Sequence, residues 1–121
     1  MLLEIRTYTL HPGVRDRFVA WFLTEARPAM EAADLPVIGP FVSAHDPDRF
    51  VYLRTFDDAA DRAHRTHAFY DSAVWQDRLR DEALAMEVGW EVQVVASLPG
   101  GTVPIPAAPD TLHTPTKEER A

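Results

Sequence analysis

His64 and His67 stand three residues apart in the run DRAHRTHAFY, and imidazole is the side chain best suited to proton transfer near neutral pH. On a helix this spacing puts both rings on one face, within reach of one substrate or one metal. No acid completes a zinc signature such as HExxH, and the chain has no cysteine, so no metal site is assigned. Set among Asp61, Arg62 and Arg65, the same pair also suits a solvated helix surface. A second set, Arg6, Tyr8, Tyr52 and Arg54, combines bidentate guanidinium donors with phenols, which is chemistry for an anionic or phenolic ligand. Trp21, Trp75, Phe69 and Tyr70 border the space expected between helices and sheet and add flat aromatic surface on which a ring could stack, although the same residues at helical spacing more often make a core. The catalytic candidates are therefore His64, His67 and Tyr8. The substrate-binding candidates are Arg6, Tyr52, Arg54, Trp21, Phe41 and Trp75. No glycine-rich phosphate loop, nucleophile triad or dinucleotide fingerprint occurs, and no cofactor is assigned.

The elements that must position these groups read as two strand–helix–strand halves. Leu2–Leu10 alternates, with Leu3, Ile5 and Thr7 on one side and Glu4, Arg6 and Tyr8 on the other, the period of a strand with two distinct faces. His11-Pro12-Gly13 ends it. Val14, Phe18, Trp21, Phe22 and Ala26 then mark a helical stripe, with Pro28 as a kink or end and Ala29–Ala33 as a possible resumption. Phe41–Ala44 is the expected second strand, placed at a sheet edge because Pro36 and Pro40 cannot donate to a ladder. Phe50–Phe56 is the third strand. Asp57 or Asp58 caps the helix after it. That helix breaks near Asp71-Ser72 and continues through Val74, Trp75, Leu79, Ala83 and Met86. Gly89 introduces a last strand, Trp90–Ser97.

The order βαββαβ predicts an α+β, ferredoxin-like sandwich over residues 1–98, with two helices on one face of a four-stranded antiparallel sheet. The other face is expected to carry Glu4, Arg6, Tyr8, Tyr52, Arg54, Phe56, Glu91 and Gln93. There Arg6 and Arg54 would pair with Glu4 and Glu91 across strands. A second subunit related by two-fold symmetry is the simplest thing for such a face to meet. Residues 99–121 are rich in proline and read as an extended tail or arm.

Composition narrows the function classes. The chain has 121 residues, enough for one domain with a real core. Twelve basic against nineteen acidic residues give a net charge of −7, and the only lysine is Lys117, so no basic surface for nucleic acid forms. No apolar run is long enough to span a membrane and no signal peptide opens the chain. A cytoplasmic protein without nucleic-acid or membrane partners is expected.

The chain resembles the NIPSNAP family of the dimeric α+β barrel superfamily. The residues that carry the resemblance are Glu4-Ile5-Arg6-Thr7-Tyr8-Thr9-Leu10 with Pro12-Gly13, then Gly39-Pro40-Phe41. The run Tyr52-Leu53-Arg54-Thr55-Phe56-Asp57-Asp58 follows, leading to Asp61-Arg62, and Trp75 closes the pattern. It covers roughly residues 2 to 97. It implies a subunit that dimerises sheet to sheet into a barrel, with a pocket between sheet and helices in many superfamily relatives. These relatives include cofactor-free monooxygenases, lactone isomerases, polyketide cyclases and haem-degrading enzymes. The family's second helix is often dense in arginine, whereas here His64 and His67 interrupt that run.

The function expected on this basis is binding of a small hydrophobic or aromatic molecule by a homodimer, with cofactor-independent isomerase, cyclase or monooxygenase chemistry as the enzymatic form. His64 or His67 would serve as acid or base, while Arg6, Tyr8, Tyr52 and Arg54 orient polar groups. The alternative is a non-enzymatic interaction or scaffolding module that works through its dimer and tail.

Overall fold

The computed structural model describes residues 1–101. Four strands, β1 (Leu2–Leu10), β2 (Ile38–Val42), β3 (Arg49–Phe56) and β4 (Glu87–Ala96), form one sheet in the order β2-β3-β1-β4. All three ladders are antiparallel. Two helical stretches alternate with the strands, so the fold is the α+β, ferredoxin-like βαββαβ arrangement. β2 lies at the edge, where Pro40 removes no interior ladder bond. It starts three residues earlier than its apolar pattern predicts. β4 likewise starts at Glu87 rather than Trp90, with Gly89 inside the strand rather than before it.

The first helical stretch is continuous through Pro28. α1 (Arg15–Trp21) passes into a π-helical turn, Phe22–Ala26, and then into α2 (Arg27–Ala32). A proline ring clashes with the carbonyl four residues back in a regular helix, and the wider turn immediately before Pro28 relieves that clash. The second stretch starts at Asp58, whose carboxylate accepts the Asp61 N–H at 2.8 Å and caps α3 (Ala59–Tyr70). After the break at Asp71–Ala73 come a second π-helical turn, Val74–Leu79, and α4 (Arg80–Met86).

The core lies between these helices and the sheet. Leu10, Phe18, Phe22, Phe50, Phe69 and Leu79 are all essentially sealed from solvent. Each such side chain stabilises the fold by about 1.5–3 kcal/mol through burial. Phe18 and Phe22 of the first stretch pack edge-on to Phe50 of β3, with ring centroids 4.9 and 5.0 Å apart. These contacts hold the helices over the centre of the sheet.

The alternation in β1 and β3 is as the sequence reads, but its two sides are exchanged. Glu4, Arg6, Tyr8, Tyr52, Arg54 and Phe56 are buried beneath the helices. Leu3, Ile5, Thr7, Val51 and Leu53 occupy the open face and are only half-buried. Hydrophobicity alone favours the aliphatic side for the core. Here the polar side is longer and more aromatic, and its arginines share the buried Glu4 carboxylate as counter-charge. It therefore fills the wide gap under the helices that short aliphatic side chains would leave empty. Glu91 and Gln93 stay on the open face, as expected, because Glu91 pairs with Thr7 and Gln93 with Ile5, and so they part from the residues expected to share that face. Glu91 is thus on the opposite face from both arginines and cannot be their cross-strand partner.

No helix among the described residues is long and apolar enough to cross a membrane. Of the tail expected from Pro99 onward, only Pro99–Gly101 falls within the described residues.

Candidate functional site

The floor of the helix–sheet layer is a polar cluster built around one carboxylate. Glu4 is fully buried, and its Oε1 accepts from Arg6 Nη1 at 3.0 Å and from Arg54 Nη1 at 3.3 Å. Its Oε2 accepts from Arg62 Nε at 2.7 Å, reaching down from α3. Burial by itself would raise the Glu4 pKa, but Arg6, Arg62 and Arg54 outweigh it and hold the carboxyl below its ordinary value. Three guanidinium groups against one carboxylate leave the cluster positive.

Three phenols complete the cluster. Tyr8 and Tyr52 stack with centroids 5.6 Å apart, and their hydroxyls are hydrogen-bonded at 3.1 Å. Arg6 Nε donates to the Tyr8 hydroxyl, and Arg54 Nη2 donates to those of Tyr52 and Tyr70, each at 2.9 Å. The Arg54 guanidinium also lies over the Tyr52 and Tyr70 rings, at 5.2 and 5.5 Å. Burial raises the Tyr8 and Tyr52 pKa values despite the arginines beside them, so both phenols stay protonated.

Every phenol oxygen thus accepts a hydrogen bond from an arginine. Three phenols carry three O–H protons, and the Tyr8–Tyr52 bond uses one. The other two have no acceptor among the described residues, and neither does the buried Trp21 Nε1. Such surplus donors are costly in a closed interior.

Above this floor lies a cavity of about 390 Å³, within the range of small-molecule sites. Arg6, Tyr8, Tyr52 and Tyr70 form its polar side. Phe18, Trp21, Phe22, Met30 and Ala83 form its apolar side, and Trp75, Leu84 and Trp90 also line it, together with Arg80 and Glu87. The site is an apolar chamber with a cationic, donor-rich floor.

Of the nine residues singled out from the sequence, five line this chamber: Arg6, Tyr8, Tyr52, Trp21 and Trp75. Arg54 sits directly behind it and fixes two of the phenols. Phe41 is 51% exposed on the edge strand and does not reach the chamber. His64 and His67 are exposed on α3 and do not line it either. The physical reason is periodicity. Arg62, Thr66, Phe69 and Tyr70 form the stripe that turns toward the sheet, at i, i+4, i+7 and i+8, and the histidines fall outside it. Among the described residues, no three His, Cys, Asp or Glu side chains converge as a metal site would need.

A family profile for NIPSNAP matches residues 3–94, which is most of the chain and spans every element around the chamber. The chain belongs to the NIPSNAP family. A solved NIPSNAP-like domain protein from Burkholderia xenovorans superposes with a TM-score of 0.77 at 24% identity, covering 87% of this chain and 90% of that one. A NIPSNAP family protein from Agrobacterium tumefaciens gives a TM-score of 0.69 at 25% identity, covering 78% and 86%. The same fold extends to a solved antibiotic biosynthesis monooxygenase, with a TM-score of 0.62 at 20% identity over 82% of this chain and all of that one. No curated protein matches the chain.

Three members of this NIPSNAP site carry roles that sequence reading does not assign. Glu4 appears there only as a surface ion-pair partner, yet it is the buried counter-charge shared by three arginines. Tyr70 appears only as an aromatic border, yet its hydroxyl is part of the donor set; its place in the Arg62–Tyr70 stripe is a usable signal. Glu87 carries no signal in the sequence, because a register irregularity in β4 decides where it points.

Proposed function

We propose that this NIPSNAP protein binds a small hydrophobic or aromatic molecule bearing a carbonyl, phenol or carboxylate oxygen, in the chamber between helices and sheet. The observation that carries this reading is the mismatch of the floor: phenol and indole donors that find no hydrogen-bond acceptor among the described residues, beside a guanidinium group, meet largely apolar walls. A ligand oxygen on the floor would satisfy those donors, while its carbon skeleton fills the aromatic walls. The enzymatic form of the proposal is cofactor-independent isomerisation, cyclisation or oxygenation, in which the same donors stabilise negative charge developing on that oxygen. Similarity to the antibiotic biosynthesis monooxygenase fold is consistent with this chemistry but does not select among the three.

The assembly proposed is a homodimer. The open sheet face offers half-buried Leu3, Ile5, Val51, Leu53 and Val95 with no helix over it. An aliphatic face of this kind is self-complementary under two-fold symmetry.

Three tryptophans line the chamber, so intrinsic fluorescence reads its occupancy. 2-Naphthol, 2-naphthoate and naphthalene differ only in the oxygen offered to the floor. The two oxygen-bearing probes are expected to quench and to bind at least about tenfold more tightly than naphthalene, the effect of one or two good hydrogen bonds. Equal affinity for all three would remove the role given to the floor. No binding by any of them would move the search to protein partners.

A further inference from the structure

The β1–β4 ladder is regular from Leu2↔Ala96 to Thr9↔Gly89, and then shifts, so that Leu10 pairs with Glu87 and Val88 has no partner. With unbroken alternation from Trp90, Glu87 would point to the open face. The bulge at Val88 reverses that. Glu87 shares the face of Leu10, which is 1% exposed in the core, and it lines the chamber. Bulges beside sites commonly re-aim one side chain in this way. The carboxyl makes no hydrogen bond or ion pair among the described residues. Burial pushes its pKa up to about 7, with Arg6 pulling the other way.

The groups facing it are Arg6 and Tyr8 from β1, Tyr52 from β3, Tyr70 from α3 and Arg80 from α4; the first helical stretch contributes only apolar side chains and the indole of Trp21. Arg6 is held protonated by the phenols around it and burial keeps Tyr8 and Tyr52 neutral, so none of the three can accept a proton near pH 7. Glu87 is the only carboxylate lining the chamber among the described residues.

We propose that Glu87 is the proton-transfer group of this chamber, acting on a carbonyl compound with an acidic C–H beside the carbonyl, so that the site catalyses enolate formation with exchange of that proton or migration of a conjugated double bond. This rests on the binding reading above. The carbonyl oxygen accepts from the donor floor. Glu87 removes the adjacent C–H proton, and the bonding pair of that C–H becomes the C=C bond of an enolate. Its negative charge resides on the oxygen among Arg6 and the phenols. Returning the proton to carbon from the Glu87 carboxylic acid, at the same or the conjugate position, closes the cycle with no oxidant or reductant.

The test uses the full chain and 2-tetralone, an aromatic bicyclic ketone with acidic C–H groups on both sides of its carbonyl. Deuterium incorporation from D₂O is followed by NMR, and binding by tryptophan quenching. The protein is expected to accelerate exchange, with a rate that rises with pH through about 7 and then levels. E87Q is expected to lower the rate at saturating ketone roughly 100-fold, the usual size of a lost general base, with affinity changed less than threefold. E87D, which keeps a shorter carboxylate, is expected to recover part of the rate. Binding without accelerated exchange, or E87Q exchanging within twofold of the parent, would overturn the proton-transfer role and leave the binding reading intact. Absence of binding by the parent protein would overturn both.

Discussion

The two faces of this sheet invert the usual division between inside and outside. The face under the helices carries a carboxylate, two arginines and two phenols, and the face open to solvent carries leucine, isoleucine and valine. An ordinary two-layer sandwich does the reverse, because apolar area removed from water is the main driving force for folding. Packing within one chain does not by itself account for this arrangement. Charges kept inside a protein are costly unless paired and hydrogen-bonded. Their retention beneath the helices, with donors to spare, is what the proposed binding site would use. Aliphatic residues kept outside are what the proposed dimer would cover.

Breaking the covered face has the largest expected effect. Glu4→Gln leaves Arg6 and Arg54 buried without their counter-charge, and should cost about 3–5 kcal/mol of unfolding free energy in a urea titration. Because the Glu4 pKa is lowered in the folded chain, its contribution is complete above the ordinary carboxylate range and is lost as pH falls through the folded value. The parent should therefore lose stability on acidification more steeply than E4Q does. Matching curves would mean that the three arginines are not held by this carboxylate.

Breaking the open face should leave the subunit folded and separate the copies. Leu53→Asp introduces a charge at the centre of the proposed dimer surface. It should weaken self-association at least about 100-fold, or about 2.7 kcal/mol, seen as a shift to monomer mass in sedimentation equilibrium. A parent chain already monomeric at high concentration would refute the reading of this face.

A smaller effect sharpens the contrast between Glu4 and Glu87, two acids in one layer with opposite shifts. The Glu87 pKa is raised, so the folded chain holds an extra proton between the ordinary glutamate value and about 7. Stability then falls as pH rises through that window. Allowing for its partial exposure, the loss should be about 1–2 kcal/mol. E87Q should flatten this part of the curve and melt higher than the parent at pH 8. If the parent shows no decline between pH 5 and 7, Glu87 is not held in an apolar setting.

Much of this molecule is legible in its residues. Period-two alternation in Leu2–Leu10 and Phe50–Phe56, the aspartate cap, the edge position forced by Pro40 and the break at Asp71-Ser72 are local matters. Local chemistry decides them, and the resulting order admits few topologies. The grouping of Arg6, Tyr8, Tyr52 and Arg54 is also local, since alternation plus the β1–β3 pairing puts all four on one face. Which face lies under the helices is not local. Alternation defines two sides without ranking them, and the ranking depends on how long aromatic and arginine side chains fill the interlayer gap with Glu4 as their shared counter-charge. The histidines show the same divide: their spacing on α3 is written in the chain, but the rotation of α3 against the sheet is set by burial of Phe69 and by the reach of Arg62 to Glu4. Glu87 is the extreme case. One unpaired residue in β4 turns it from the open face into the chamber, and a bulge is a property of two strands pairing across most of the chain's length.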